Sequence, residues 1–274
     1  MTTPPPNIRT LELLMKVRPA QLAQLLKRLL GVQRVEVTAE SGCKYWVDPV
    51  SILGLNLLRD HRFEPPMTQL LERVLRRTDT FVDLGANEGY FSVLAARLAA
   101  DGIVWSIEPQ SRLHAVLDEN ARLNEAKNIR VEQLAISDGP GTIALHLRPT
   151  TNSGASSMFR YWRLGWSTEQ VATTTLDAFF QDRGITDARL MKVDCEGAER
   201  LIFARATETL RRGTVACIAL EYHPQIIGRD ACRAIHQTIV DADYKLLTWN
   251  GLRLYCRDLS SFDLPGAEYA PQPF

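Results

Sequence analysis

Residues 81 to 90 read Phe-Val-Asp-Leu-Gly-Ala-Asn-Glu-Gly-Tyr, an apolar run that meets a glycine-rich turn and continues into a helical pattern. A strand–turn–helix of this kind can do chemistry. Glycines let backbone approach a ligand without a Cβ clash. The helix start offers unpaired N–H groups and the positive end of a dipole. In dinucleotide-binding proteins such a turn holds a pyrophosphate. Here Gly85 and Gly89 fall as G-x-x-x-G, and Asp83 stands just before the turn. An acid at that point repels a pyrophosphate. It suits a ligand with an ammonium group, such as the methionine part of S-adenosyl-L-methionine, held directly or through water. Asp83, Gly85, Ala86, Asn87, Gly89 and Tyr90 are the candidate cofactor-binding residues of the turn.

A second constellation is Ile107-Glu108-Pro109, at the end of the next apolar run. A carboxylate there can accept hydrogen bonds from both hydroxyls of a ribose, as the acid of dinucleotide-binding units does. Taken alone, Glu108 is equally a solvated strand-end charge. A third is Ala135-Ile136-Ser137-Asp138, whose first three residues are expected to border an adenine ring. Acid–base candidates cluster further on, in Lys192-Val193-Asp194-Cys195-Glu196 and in Glu221-Tyr222-His223. Asp194 is the first choice for a general base and is also a candidate cofactor-binding residue. Glu196 is close by, and the His223 imidazole ordinarily titrates near neutrality. Three alternatives stay open. Asp194 and Glu196 could simply cap a helix, and His223 could be a satisfied loop histidine. Asp194, Glu196, Glu221 and His223 could bind a divalent cation, but their spacing is not specific and no metal is expected. Lys192, in a buried strand pattern, needs a carboxylate partner or a route to solvent. Cys195, between two acids, reads as a small core residue with a raised pKa.

These groups need elements to hold them. From Thr80 onward short apolar runs alternate with helical periods, which implies right-handed crossovers and a mainly parallel sheet covered on both faces. Strands are expected at Thr80–Leu84, Ile103–Ile107, Ile129–Glu132, Leu190–Val193, Val215–Leu220, Tyr244–Trp249 and Leu252–Cys256. Asn250-Gly251 between the last two is a strong hairpin signal, so the sheet ends in an antiparallel pair. The fold class is therefore α/β, a Rossmann-like seven-stranded, mostly parallel sheet with an antiparallel C-terminal hairpin, within residues 66–274. Residues 1–65 read as a small appendage: a Pro-rich tail, an amphipathic helix interrupted at Pro19, and short strands near Val35 and Tyr45–Val47. The helix packs on its own domain or on a second subunit, so a homodimer contact is conceivable there. Asn152-Ser153-Gly154, followed by four aromatics and two arginines up to Trp166, reads as an acceptor lid or as a surface loop.

Together these motifs resemble those of the FkbM family of methyltransferases. Asp83–Tyr90, Ile107–Pro109, Ala135–Asp138, Asn152–Ser157, Thr173–Asp177 and Met191–Glu199 follow in the family's order, and Arg62-Phe63-Glu64-Pro65 resembles its approach to the first strand. The resemblance spans about residues 60 to 257. It implies a class I methyltransferase using S-adenosyl-L-methionine to methylate a hydroxyl of a sugar, a polyketide or another small metabolite. The alternatives are a nucleic-acid or protein methyltransferase on the same fold, or a nucleotide-dependent oxidoreductase.

Composition narrows the partners. Of 274 residues, Lys plus Arg and Asp plus Glu number 32 each, so no global field attracts a polyanion and no nucleic-acid partner is expected. No apolar run approaches the roughly 18 residues of a membrane span. Five scattered cysteines, never spaced C-x-x-C, fit a reducing compartment, and the N-terminus lacks the pattern of a secretory signal. A cytoplasmic location is expected.

Overall fold

Every strand expected from Thr80 onward is present in one sheet of the computed structural model, which describes residues 7–18, 20–147 and 167–274. The chain enters through α1 (Ile8–Lys16), α2 (Ala20–Leu29), the pair β1 (Val35–Thr38) and β2 (Lys44–Val47), and the helices α3 (Ile52–Asp60) and α4 (Pro65–Val74). The alternating part follows: β3 (Thr80–Leu84), α5 (Tyr90–Leu98), β4 (Ile103–Ile107), α6 (Ser111–Leu123), β5 (Ile129–Glu132), β6 (Ala135–Ile136), β7 (Gly141–His146), β8 (Thr168–Thr174) and α7 (Leu176–Asp182). Then come β9 (Ala188–Val193), α8 (Glu199–Ala204), α9 (Thr207–Arg211), β10 (Val215–Leu220), α10 (Pro224–Ile227), α11 (Arg229–Val240), β11 (Lys245–Trp249), β12 (Leu252–Cys256) and β13 (Glu268–Tyr269).

The main sheet runs β13-β11-β12-β10-β9-β3-β4-β5. The pairs from β10 to β5 are parallel, and β12, β11 and β13 join antiparallel. The two-residue β13 adds an eighth strand to the seven expected. Trp249 pairs with Leu252, leaving Asn250 and Gly251 as a two-residue turn with φ of 47° and 82°. Both values are left-handed, as the turn matching strand twist requires. Alternation along each strand sends side chains to opposite faces. Phe81, Leu190 and Leu254 pack under α4 and α5, while Val82, Met191 and Ile218 pack under α7, α8 and α11.

A small sheet, β6-β8-β7, stands beside this frame. Sequence reading missed β7 and β8, which bury only one residue each and lack a clear apolar alternation. The proposed acceptor lid at 152–166 lies outside the described residues, as does Pro19.

The N-terminal segment is welded to the sheet layers. Val37, Tyr45, Val47, Leu53 and Leu57 belong to the same apolar cluster as Phe81 and Leu94. The expected break near Pro19 divides the helical segment into α1 and α2. α1 buries Leu11 and Leu14, but α2 leaves Leu22, Leu25 and Leu29 exposed. Polar contacts fix β1 and β2 against the glycine turn. Arg34 donates to both carboxylate oxygens of Glu88 (2.9 and 3.0 Å) and to the Trp46 carbonyl (3.0 Å). Tyr45 Oη donates to the Tyr90 carbonyl (3.0 Å), and Trp46 N–H to Asn120 Oδ1 (2.6 Å). The Glu88 side chain is 3% exposed. Removing Arg34 strands a buried carboxylate, so Arg34→Ala is expected to cost about 2–4 kcal/mol in a denaturant titration. A loss under about 0.5 kcal/mol, the range of ordinary surface changes, would show that the pair does not brace the turn.

Candidate active site

A cavity of about 390 Å³ opens at the C-terminal ends of β3, β4, β9 and β10, the edge where open α/β sheets bind ligands. Of the sequence-chosen residues, Gly85, Ala86, Asn87, Tyr90, Glu108, Pro109, Ala135, Ile136, Asp194 and Glu196 line it. Asp83, Gly89, Ser137 and His223 do not.

The glycine turn works differently from the expectation that its glycines make room for a ligand. A Cβ on Gly85 would collide with the Asp194 carbonyl oxygen, and one on Gly89 would stand 2.8 Å from Leu117 Cγ. Both glycines have φ near 81°, a region that costs other residues strain. They make room for β9 and for α6, and thereby place Ala86 and Asn87 at the wall. Asn87 is itself left-handed (φ 51°), and its Oδ1 is buried without a hydrogen-bond partner among the described residues.

Glu108 is 4% exposed. The Asn87 N–H donates to its Oε2 and the Gln110 N–H to its Oε1, both at 2.9 Å. Burial raises its pKa to about 7, although these two donors pull the other way. Ala135, Ile136 and Leu134 form an apolar wall beside it. Ser137 is buried behind them, its N–H bound to the Thr174 carbonyl (2.8 Å).

Asp83 is fully buried, under the cavity floor. Ser92 Oγ donates to its Oδ2 (2.7 Å), and Lys192 Nζ stands 3.7 Å from its Oδ1. Burial raises its pKa, with Lys192 and Ser92 opposing. The acid expected to meet a ligand ammonium therefore meets a lysine. Lys192 lines the cavity, 3.3 Å from Asp194 Oδ2. Burial works against its charge, but Asp194 and Asp83 outweigh burial and hold the amine protonated.

At the far end, Asp194, Glu196 and Glu221 form an acidic wall. His223 sits behind it, 5% exposed. Its Nδ1 bonds Glu199 Oε1 (2.9 Å), while its Nε2 is 3.7 Å from Asp194, 3.9 Å from Glu196 and 4.0 Å from Glu221. Burial disfavours charge on the ring, but Glu199, Asp194 and Glu196 outweigh it and raise the pKa to about 9. The near-neutral titration expected of this residue type is not what this setting produces. Cys195 packs against the core, as expected, and also lines the cavity, and burial followed by Glu199 and Asp194 pushes its thiol well up.

Sequence reading missed several wall residues: Ser51, Ile52 and Asn56 around the start of α3, Phe63 and Glu64 before α4, and Glu88. The Arg62–Pro65 motif was the one signal for this side, but nothing in it says that its residues reach the site. Glu64, Asn87 and Glu196 all line the cavity with positive φ. Such strained residues gather at functional sites.

The family model of the methyltransferase FkbM domain matches residues 83–246, more than half of the chain. A comparison with curated proteins finds no match. Among solved structures, the chain is similar to the precorrin-6y C5,15-methyltransferase of Geobacter metallireducens, with 12% identity, TM-score 0.38, and 67% of this chain and 72% of that one covered. It is similar to the fibrillarin of Aeropyrum pernix with bound S-adenosyl-L-methionine, with 11% identity, TM-score 0.41, and 69% and 71% covered. For an rRNA methylase of Streptococcus thermophilus the values are 12%, 0.42, 71% and 98%.

Glu108 yields a stability test. Its pKa is about 7 folded and near the ordinary value of about 4.3 unfolded. Between these the folded state holds the extra proton, so its contribution to stability falls as pH rises from about 5 to about 7 and is flat above. Thermal melts of wild type and Glu108→Gln across this window should differ in slope, the wild type losing more stability. Parallel slopes would mean that Glu108 ionises normally.

Proposed function

Since the chain belongs to the FkbM family of methyltransferases, we propose that it carries a methyl group from S-adenosyl-L-methionine to a hydroxyl oxygen of a small metabolite or glycan. The observation that carries this reading is that one cavity has two chemically distinct ends. At one end an apolar wall and the backbone-anchored Glu108 suit a nucleoside. At the other end stands a wall of carboxylates.

The residues fit the cofactor. Glu108 is oriented to accept from the two ribose hydroxyls, and the orphaned Asn87 Oδ1 is a further acceptor at the same end. Ala135 and Ile136 supply a flat apolar border for adenine. Lys192, held charged between Asp83 and Asp194, suits the carboxylate of the methionine part, so Asp83 acts through Lys192. The bound cofactor supplies an electrophilic methyl group whose leaving group is a neutral thioether.

What remains for the protein is alignment and one proton. Holding acceptor oxygen, methyl carbon and sulfur in line contributes up to roughly 7–11 kcal/mol. The hydroxyl proton goes to the carboxylate wall, where Asp194 and Glu196 face the cavity. His223 stands behind both, its Nε2 3.7 Å from Asp194 and 3.9 Å from Glu196. The wall also bears on the acceptor class. Among the described residues, six carboxylates and Lys192 line the cavity; burial raises Glu64 to about 7, and the remaining excess of negative charge disfavours a phosphodiester chain.

The test is transfer from methyl-labelled S-adenosyl-L-methionine into a fractionated cell extract. Label should enter base-stable, protease-resistant small molecules or glycans. Asp194→Asn should lower that transfer by about 10²–10⁴-fold while binding S-adenosylhomocysteine within a few-fold of wild type by calorimetry. Label in RNA or protein would refute the acceptor class, and no binding of S-adenosylhomocysteine would refute the cofactor assignment.

A further inference from the structure

His223 is held in a way that the proposed proton transfer does not require. Its Nδ1 is tied to Glu199, a residue with no exposed surface whose Oε1 also accepts from the Cys195 and Gly197 N–H groups. This clamp aims Nε2 at the carboxylate wall. Yet Nε2 finds no hydrogen-bond partner among the described residues: the nearest carboxylate oxygens stay 3.7 to 4.0 Å away. The second ring nitrogen of a histidine only 5% exposed, ringed by carboxylate oxygens just beyond bonding distance, defines a gap with lone-pair donors on several sides.

The geometry points to a divalent-cation site in that gap, with Asp194 Oδ1, Glu221 Oε1 and His223 Nε2 as ligands, the ion displacing the Nε2 proton to solvent as it binds. One ligand atom from each residue lies within 4.8 Å of the others. Ligands bound at about 2.0–2.2 Å to one ion stand roughly 3–3.5 Å apart, so each donor need move by only about half an ångström. The carboxylate on Nδ1 is the arrangement that orients metal-bound histidines and raises their basicity. Lys192 takes the other oxygen of Asp194, leaving Oδ1 for single-point ligation. An imidazole with two carboxylates suits a first-row ion such as Mn²⁺, with Zn²⁺ as competitor.

The inference deepens the proposed function and rests on it for its chemistry. The cation faces the end of the cavity where the acceptor enters. A hydroxyl bound to it loses its proton more readily. The O–H bond breaks with its proton passing to Glu196, the O–C bond forms, and the C–S bond breaks with its electron pair staying on sulfur. No group is oxidised or reduced.

The experiment is a titration of the full chain, stripped with chelator, with Mn²⁺, following free ion by paramagnetic resonance. One ion per chain is expected. Glu221→Gln, at a side chain 59% exposed, should fold normally and weaken binding by tenfold or more, and Glu199→Gln by about 10–100-fold. Absence of stoichiometric Mn²⁺ or Zn²⁺ binding by the wild type would overturn the inference, as would unchanged affinity in folded Glu221→Gln. S-adenosylhomocysteine calorimetry on the same sample separates the two readings. Binding of S-adenosylhomocysteine without the cation sinks the cation site alone. Binding of the cation without S-adenosylhomocysteine sinks the cofactor assignment alone.

Discussion

The site depends on how closely β3 and β9 can run past each other at their C-terminal ends. The Asp194 N–H bonds the Leu84 carbonyl at 3.1 Å, and the next residue, Gly85, meets the Asp194 carbonyl with no room for a Cβ. The Gly85 and Ala86 N–H groups both reach the Ile107 carbonyl at 3.0 Å. Three adjacent strands are thus pinned at one level. That level fixes where Asn87, Glu108 and Asp194 emerge, and so the distance between the Glu108 end and the acidic end of the cavity. The left-handed backbone at Gly85 is what the close approach demands of the chain.

Charge is arranged on this frame with little slack. Lys192 projects to the same sheet face as Asp83, and it is the cation between a buried acid and a cavity acid. Neutralising that lysine would leave Asp83 buried beside a second carboxylate. At the other side of Asp194, His223 stands among Glu196, Glu199 and Glu221. Among the described residues acids outnumber cations in this region, although the chain as a whole is neutral. Concentrating like charges costs stability, which a ligand bearing positive charge would relieve.

Much of the fold was legible because buried parallel strands leave unbroken apolar runs and crossover helices leave a 3.6-residue period. Thr80–Leu84, Ile103–Ile107 and Val215–Leu220 fall at the expected boundaries, and Asn250-Gly251 makes the expected turn. The glycine spacing and Glu108 located the cavity. Its geometry was less legible. Asp83 has the right type and place for a ligand contact, but the lysine that covers it comes from β9, more than a hundred residues away. His223 looked like a near-neutral base because its type says so, whereas three carboxylates from the turn after β9 and the start of α8 set its charge. β7 and β8 carry too little apolar alternation to be seen, and α3 and α9 lack motifs of their own.

The N-terminal segment shows why such gaps matter for function. By composition it is an unremarkable helix and two short strands. In three dimensions its Arg34 grips Glu88 inside the glycine turn, and its Tyr45 hydroxyl holds the first carbonyl of α5. Asn120 on α6 completes the frame, accepting from Trp46 and donating to the Glu88 carbonyl at 2.7 Å. The turn is therefore clasped from behind by β1 and β2, while residues 51–64 close the cavity from above. A glycine-rich turn alone would sample many conformations, because glycine gives up more backbone freedom than any other residue when it is ordered. The clasp holds the turn through the protein's own contacts. Binding energy is then available for aligning the reacting atoms.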